Sequence, residues 1–169
     1  LTTMYISDIK GTFQLNNGVG MPYLGLGVFQ SQDGDEVKNA VKFALKAGYS
    51  HIDTASGYGN ERGVGEAIKE YGKQRENVFI TSKLWNGNQG YNSAHKALEA
   101  SLERLGTDYL DLYLIHWPVK GKYKDSWKAL EEAYKKGKVR AIGVSNFLKH
   151  HLEDLLLDAK IIPMVNQME

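Results

Sequence analysis

Short apolar runs alternate with segments whose apolar residues recur at helical spacing, and glycines mark the changes between them; this alternation constrains the fold more than any other feature. Residues 24–29, Leu-Gly-Leu-Gly-Val-Phe, read as a short strand with glycines where something approaches the backbone closely. Val37, Val41, Ala44 and Leu45 then fall on one helical face, and Gly48 stops that helix. The rhythm repeats. Strands are predicted at 50–54, 78–82, 109–115, 139–144 and 162–168. Helices are predicted to begin at Asn60, Ser93 and Ser126, each taken as an N-cap or opening residue, and to end at Gly72, Gly106 and Gly137. A further helix covers 148–158. Ahead of the alternation, 12–15 and 19–23 flank Asn16-Asn17-Gly18, which predicts a hairpin closed by a type I′ turn.

Strand starts lie roughly 25–30 residues apart, the spacing of parallel βαβ units. Such units build either a doubly wound sheet or a barrel. A doubly wound dinucleotide fold carries Gly-x-Gly-x-x-Gly after its first strand. Gly25-Leu-Gly27-Val-Phe-Gln lacks the third glycine, and Gly57-Tyr-Gly59-Asn-Glu-Arg-Gly63 has the wrong spacing. The expected fold class is therefore α/β, a (β/α)8 TIM barrel. This chain supplies an N-terminal hairpin and about six βα units of it, as one partial domain over residues 1–169. A full barrel takes eight strands and roughly 250 residues. The pattern thus reads as the first part of a larger protein, and an open six-stranded sheet is expected to leave two long apolar edges and to be unstable alone.

Composition narrows the function classes. A net charge of +1, with no block of like charge, argues against nucleic-acid or polybasic membrane partners. The absence of cysteine removes disulfides, thiolate metal sites and cysteine nucleophiles. The opening Leu-Thr-Thr-Met-Tyr-Ile-Ser shows no signal-peptide pattern, and no apolar run approaches the ~18 residues of a membrane helix. A soluble, cytoplasmic protein, monomeric when complete, is expected.

In a barrel, the C-terminal ends of the strands gather at one mouth. Reading off those ends collects Asp53 and Tyr58, Lys83 and Trp85, His116 and Trp117, Ser145 and Asn146, and Asn166 and Gln167. A packing layer would be Val, Ile and Leu; a buried Lys and Asp need each other. The chemistry that suits this set is carbonyl reduction. Hydride addition to a carbonyl carbon puts charge on oxygen, which must then receive a proton. A phenol holds its proton tightly, with a pKa of about 10, and an adjacent ammonium eases its release. A carboxylate keeps that ammonium charged and in place, and an imidazole can donate to the carbonyl oxygen. Tyr58, Lys83, Asp53 and His116 supply one of each.

These motifs resemble those of the aldo-keto reductases, nicotinamide-dependent carbonyl reductases on a (β/α)8 barrel. His51-Ile-Asp53-Thr-Ala-Ser-Gly-Tyr58-Gly-Asn60-Glu61 is similar to the signature around that family's second strand. Thr81-Ser82-Lys83-Leu84-Trp85 resembles the third-strand lysine segment, and Asp111-Leu-Tyr-Leu-Ile-His116-Trp117-Pro118 the fourth. Gly143-Val-Ser145-Asn146-Phe147 and Val165-Asn166-Gln167 resemble the fifth and sixth. The resemblance implies Tyr58 as general acid, Lys83 and Asp53 as its tuning pair, and His116 as carbonyl orienter. It implies NADPH as cofactor, with Ser145, Asn146 and Gln167 on the nicotinamide carboxamide. Phe29, Trp85 and Trp117 would wall the pocket of a small-molecule carbonyl substrate. The hairpin and the Gly-Val-Phe-Gln segment look most like the bacterial branch acting on glyoxal, methylglyoxal or diketo-gluconate. The family's loops after strands 7 and 8, which grip the pyrophosphate and the 2′-phosphate, have no counterpart in these residues, so weak or no NADPH binding is expected of this chain alone.

Two other classes compete. One is a non-catalytic, cofactor-binding regulatory relative, or an inactive fragment of the reductase; nothing in the residues favours it. The other is a metal-dependent hydrolase barrel, for which only His116 and Asp53 qualify as strand-end ligands. Several striking residue types have plain readings: His51, Asp111 and Trp127 as structural, and His95, His150 and His151 as solvated helix residues.

Overall fold

The structure, a computed structural model, describes residues 8–169; the leading segment read above for a signal peptide lies outside the described residues. Strands β1 (Thr12–Gln14) and β2 (Gly20–Pro22) form an antiparallel hairpin. There follow β3 (Leu26–Gly27), α1 (Asp35–Lys46), β4 (His51–Asp53), α2 (Glu61–Tyr71), β5 (Phe79–Leu84), α3 (Tyr91–Leu105), β6 (Leu110–Ile115), α4 (Tyr123–Lys135), β7 (Val139–Ser145), α5 (Lys149–Leu156) and β8 (Asn166–Gln167). Strands β3 to β8 pair in sequence order, all parallel, in one six-stranded sheet. This is a partial (β/α)8 barrel, as the alternation predicts.

Side-chain alternation divides each strand between two cores. Ile52, Ile80, Leu84, Tyr113, Ile115, Ile142 and Val144 pack outward against the helices, with Val37, Val41, Val64, Leu98, Leu102, Trp127 and Leu130. Phe79, Leu112, Leu114 and Ala141 take the other face, where Leu15, Val19 and Met21 of the hairpin close over them. Each such Leu, Ile or Val removed from water contributes roughly 1.5–3 kcal/mol. The hairpin is thus a plug at the base of the inner face, opposite the strand ends.

Several local expectations are corrected. The Asn-Gly turn is not type I′, which needs two central residues with positive φ. Gly18 has φ of 88°, but Asn17 does not share that region; Gly18 N donates to Leu15 O at 2.9 Å instead. Asn17 is held by tertiary bonds, its amide donating to Arg140 O at 3.0 Å and to the Tyr134 hydroxyl at 3.3 Å. Nor do the side chains of Asn60 and Ser93 cap helices, and the helix read as opening at Ser126 begins at Tyr123. Ser93 and Ser126 lie inside the first turns and donate back to Gln89 O and Lys122 O. Ser126 Oγ also accepts Gly90 N at 2.9 Å, tying the start of α3 to α4. Finally, the two sheet edges are not long and apolar. β3 and β8 pair over two residues each, and β8 is Asn-Gln.

The structural readings of Asp111, His51 and Trp127 hold, whereas His151, read as solvated, is half-buried and accepts Leu148 N at 3.0 Å. Asp111 accepts Ile80 N at 2.9 Å and pairs with Arg75 and Arg140. His51 Nε2 lies 2.8 Å from Thr81 Oγ1, and burial lowers the pKa of this histidine. Trp127 is buried, its indole N–H donating to Ile161 O. No helix among the described residues is long and apolar enough to cross a membrane.

Candidate active site

Because every second residue of a strand faces the same way, Asp53 on β4, Lys83 on β5 and Ser145 on β7 share the inner face with Phe79, Leu112 and Leu114, one or two layers above the hairpin plug. His116 follows β6 directly, its backbone N donating to Leu84 O. Tyr58 comes from no strand. It ends a 3-10 turn, Ser56–Tyr58, that leaves β4 and is stopped by Gly59 at φ of 71°. Ser56 Oγ donates to Lys83 O at 3.1 Å and pins this turn to β5. Gly57 brings the turn against Trp85: a Cβ there would meet the indole at 2.8 Å.

The Lys83 side chain is 1% exposed, and its ammonium has three partners. It is ion-paired to one Asp53 oxygen, and it donates to Thr54 O at 3.1 Å and to the Tyr58 hydroxyl oxygen at 3.2 Å. The other Asp53 oxygen accepts the Gln167 amide at 2.7 Å. A buried ammonium without such partners would be expelled or neutralised. Here a carboxylate, a carbonyl and a phenol surround it, and two of them are the expected site residues.

The His116 ring lies edge-on to Tyr58, 5.7 Å between centroids, and edge-on to Trp85 at 5.4 Å. Burial, reinforced by the Lys83 charge and opposed by Asp53, lowers the His116 pKa to about 4. The ring is therefore neutral at pH 7. Its Nδ1 is buried without a partner. Phe29 stands 5.1 Å from the Tyr58 ring and is 66% exposed; Trp85 and Trp117 are also partly open to solvent.

Ser145, Asn146 and Gln167 meet beside this group. Ser145 Oγ donates to Gln167 O at 2.9 Å, and the Asn146 amide donates to Ser145 Oγ and to His116 O. Asn146 adopts φ of 58°, a left-handed conformation that Asn tolerates better than most residues. A hydroxyl and two carboxamides offer the mixed donors and acceptors that another carboxamide requires, so this donor set fits a nicotinamide.

Two functional neighbours escaped the sequence reading. Thr54 contributes only its carbonyl, which leaves no trace in residue type. Gln89 is buried and donates to Trp117 O at 2.7 Å, fixing the backbone of that tryptophan. Two open clefts lie elsewhere. One of about 690 Å³ runs between Tyr123 and His151, and one of about 620 Å³ between α2 and α3; neither is lined by Asp53, Tyr58, Lys83 or His116. Among the described residues no three His, Cys, Asp or Glu are grouped to hold a metal ion.

Known proteins resemble this chain over most of its length. The model of the Aldo/keto reductase family matches residues 9–169. A glyoxal reductase of Bacillus subtilis is 62% identical over 163 residues, covering 96% of this chain and 59% of that protein. A 9,11-endoperoxide prostaglandin H2 reductase of Trypanosoma cruzi is 59% identical, covering 92% of this chain and 55% of that protein. The crystal structure of an aldo/keto reductase from Brucella melitensis superposes with a TM-score of 0.90 at 51% identity, covering 94% of this chain and 62% of the other. A Bombyx mori aldo-keto reductase in complex with NADP gives a TM-score of 0.87 at 36% identity, covering 96% and 59%. The chain spans about three-fifths of the length of the relatives it matches.

Proposed function

This chain belongs to the aldo/keto reductase family, and we propose that the whole protein reduces aldehydes and ketones to alcohols with NADPH, its catalytic residues being Asp53, Tyr58, Lys83 and His116. The observation that carries this reading is the buried Lys83 ammonium, bonded at once to a carboxylate and to the Tyr58 hydroxyl. Bound NADPH would supply a hydride to the carbonyl carbon. The Tyr58 hydroxyl gives its proton to the carbonyl oxygen. The ammonium 3.2 Å away stabilises the phenolate left behind. Asp53 and the Thr54 carbonyl keep that ammonium charged and aimed. Neutral His116 donates a hydrogen bond to the carbonyl oxygen. In this reading the ring carries its proton on the nitrogen that faces the carbonyl oxygen.

Ser145, Asn146 and Gln167 would hold the nicotinamide carboxamide, and Phe29, Trp85 and Trp117 would wall the substrate. The glyoxal reductase kinship supports a small α-dicarbonyl as substrate. A cytoplasmic, monomeric protein, with residues 1–169 as one partial barrel domain, belongs to the same proposal. Tyr58→Phe in the whole protein should lower kcat by at least ~100-fold, since it removes the proton donor alone. Near-normal turnover of methylglyoxal by that variant would remove the phenol from its role.

A further inference from the structure

Asn60 occupies the cap position of α2 yet makes no capping bond. It is fully buried, and its side chain is committed elsewhere. Oδ1 accepts the Thr54 hydroxyl at 2.7 Å, while Nδ2 donates to Val28 O at 2.9 Å and to Ser31 O at 3.0 Å. These partners belong to two segments that meet at the site. Thr54 is the residue whose carbonyl receives the Lys83 ammonium. The stretch from Val28 to Ser31 is a turn closed by Ser31 N donating to Val28 O, with Gln30 held at φ of 65°. A non-glycine residue in that region is strained, so the turn persists only where its surroundings impose it. Val28 N, donating to Asp53 O, and the Asn60 amide do so. The turn carries Phe29, whose ring faces Tyr58, and Tyr58 lies two residues before Asn60.

We infer that Asn60 is a positioning residue: through its Nδ2 it holds the Phe29 turn over Tyr58 and so sets how tightly a carbonyl substrate is bound. The inference rests on the reductase reading above. Oδ1 serves the acid side of the site and Nδ2 the substrate side, and the two functions separate by substitution.

Asn60→Asp keeps an acceptor for Thr54 and turns a carboxyl toward the Val28 and Ser31 carbonyls, which repels them as an anion or, protonated, bonds only one of them. The turn so loosened is expected to raise the KM for methylglyoxal roughly 10- to 30-fold, with kcat little changed. Deuterium uptake across residues 28–31, measured without cofactor, should rise in parallel. In a Phe29→Ala background, where there is no ring left to place, the same substitution should change KM by less than about twofold. Equal KM effects in both backgrounds, or a loss falling on kcat instead, would overturn the inference. Asn60→Ala removes the turn bonds without a buried carboxylate but also the acceptor for Thr54, so if Asn60→Asp does not fold it serves through its KM effect in the two backgrounds alone. If neither folds, Asn60 is a determinant of the fold and the inference is overturned. Tyr58→Phe in the same series separates the two failures. If it stays active, the reductase reading is at fault; if it is dead while the Asn60 and Phe29 effects simply add, only the positioning role is lost.

Discussion

Immediately after Asn60 lies an ion pair whose two halves differ in exposure, and that asymmetry predicts which half matters more. Glu61 is 1% exposed, whereas the Arg104 side chain is 37% exposed. One Glu61 oxygen accepts from Arg104 Nε at 2.9 Å and Nη2 at 2.7 Å; the other accepts the Ser82 hydroxyl at 2.8 Å. Arg104→Met would leave a buried carboxylate with only Ser82 to solvate it. Breaking a buried pair this way costs about 3–5 kcal/mol, discounted here to roughly 2–3 because water can reach the vacated arginine side. Glu61→Gln keeps the shape and the bond to Ser82, and leaves behind a guanidinium that water and Ser101 can satisfy. Its cost should be about 1 kcal/mol, the net worth of an ordinary hydrogen bond. Urea unfolding of the whole protein, followed by circular dichroism, should therefore rank Arg104→Met well below Glu61→Gln with the slope unchanged. If the two variants lose equal stability, or Glu61→Gln loses more, then Glu61 is not the desolvated partner and the argument fails.

His116 predicts a dependence on acid. Its folded pKa of about 4 lies below the ordinary 6.5, so the unfolded chain takes up its proton first. Stability is therefore full above about pH 6.5 and is lost progressively as pH falls toward 4, with His51, also lowered by burial, adding in the same direction. Thermal midpoints recorded between pH 7 and pH 4 should fall less in His116→Gln than in the parent protein; an equal fall would remove His116 from that role. Gly65 sets two effects against each other. Alanine in the middle of α2 gains about 1 kcal/mol of helix propensity. A Cβ at that position, however, would sit 2.3 Å from Leu105 O and 2.6 Å from its carbonyl carbon, which are backbone atoms at the end of α3. Overpacking of that kind costs about 1–3 kcal/mol, so Gly65→Ala should lower stability in urea by roughly 1–2 kcal/mol net, and any gain would show that α2 and α3 can slide apart freely.

What could be read in the sequence follows the range of the forces involved. Asp53, Lys83 and Ser145 were legible because each stands at or near the C-terminal end of a predicted strand, the end that a barrel gathers at its mouth. Tyr58 obeys no such parity. It projects from a 3-10 turn, and its place just past the strand end and the need for a phenolic proton donor, not alternation, pointed to it. The failures at Asn17 and Asn60 lie where a residue with a strong local habit is used at long range. Asn17 next to a glycine calls for a type I′ turn, but its amide is held by Arg140 and Tyr134, more than a hundred residues away in the chain. Asn60 before a helix calls for a cap, and the same side chain instead binds segments six and about thirty residues back. Capping contributes about 1 kcal/mol. Three hydrogen bonds, two of them buried, that also settle the polar groups of two loops outweigh it, since each buried group left unpaired would cost about 1–3 kcal/mol. A cap residue that is fully buried therefore has better partners than its own helix, and burial is what the sequence of a single chain does not display. At Asn60 that missing information is also what separates a helix start from a residue that shapes the site.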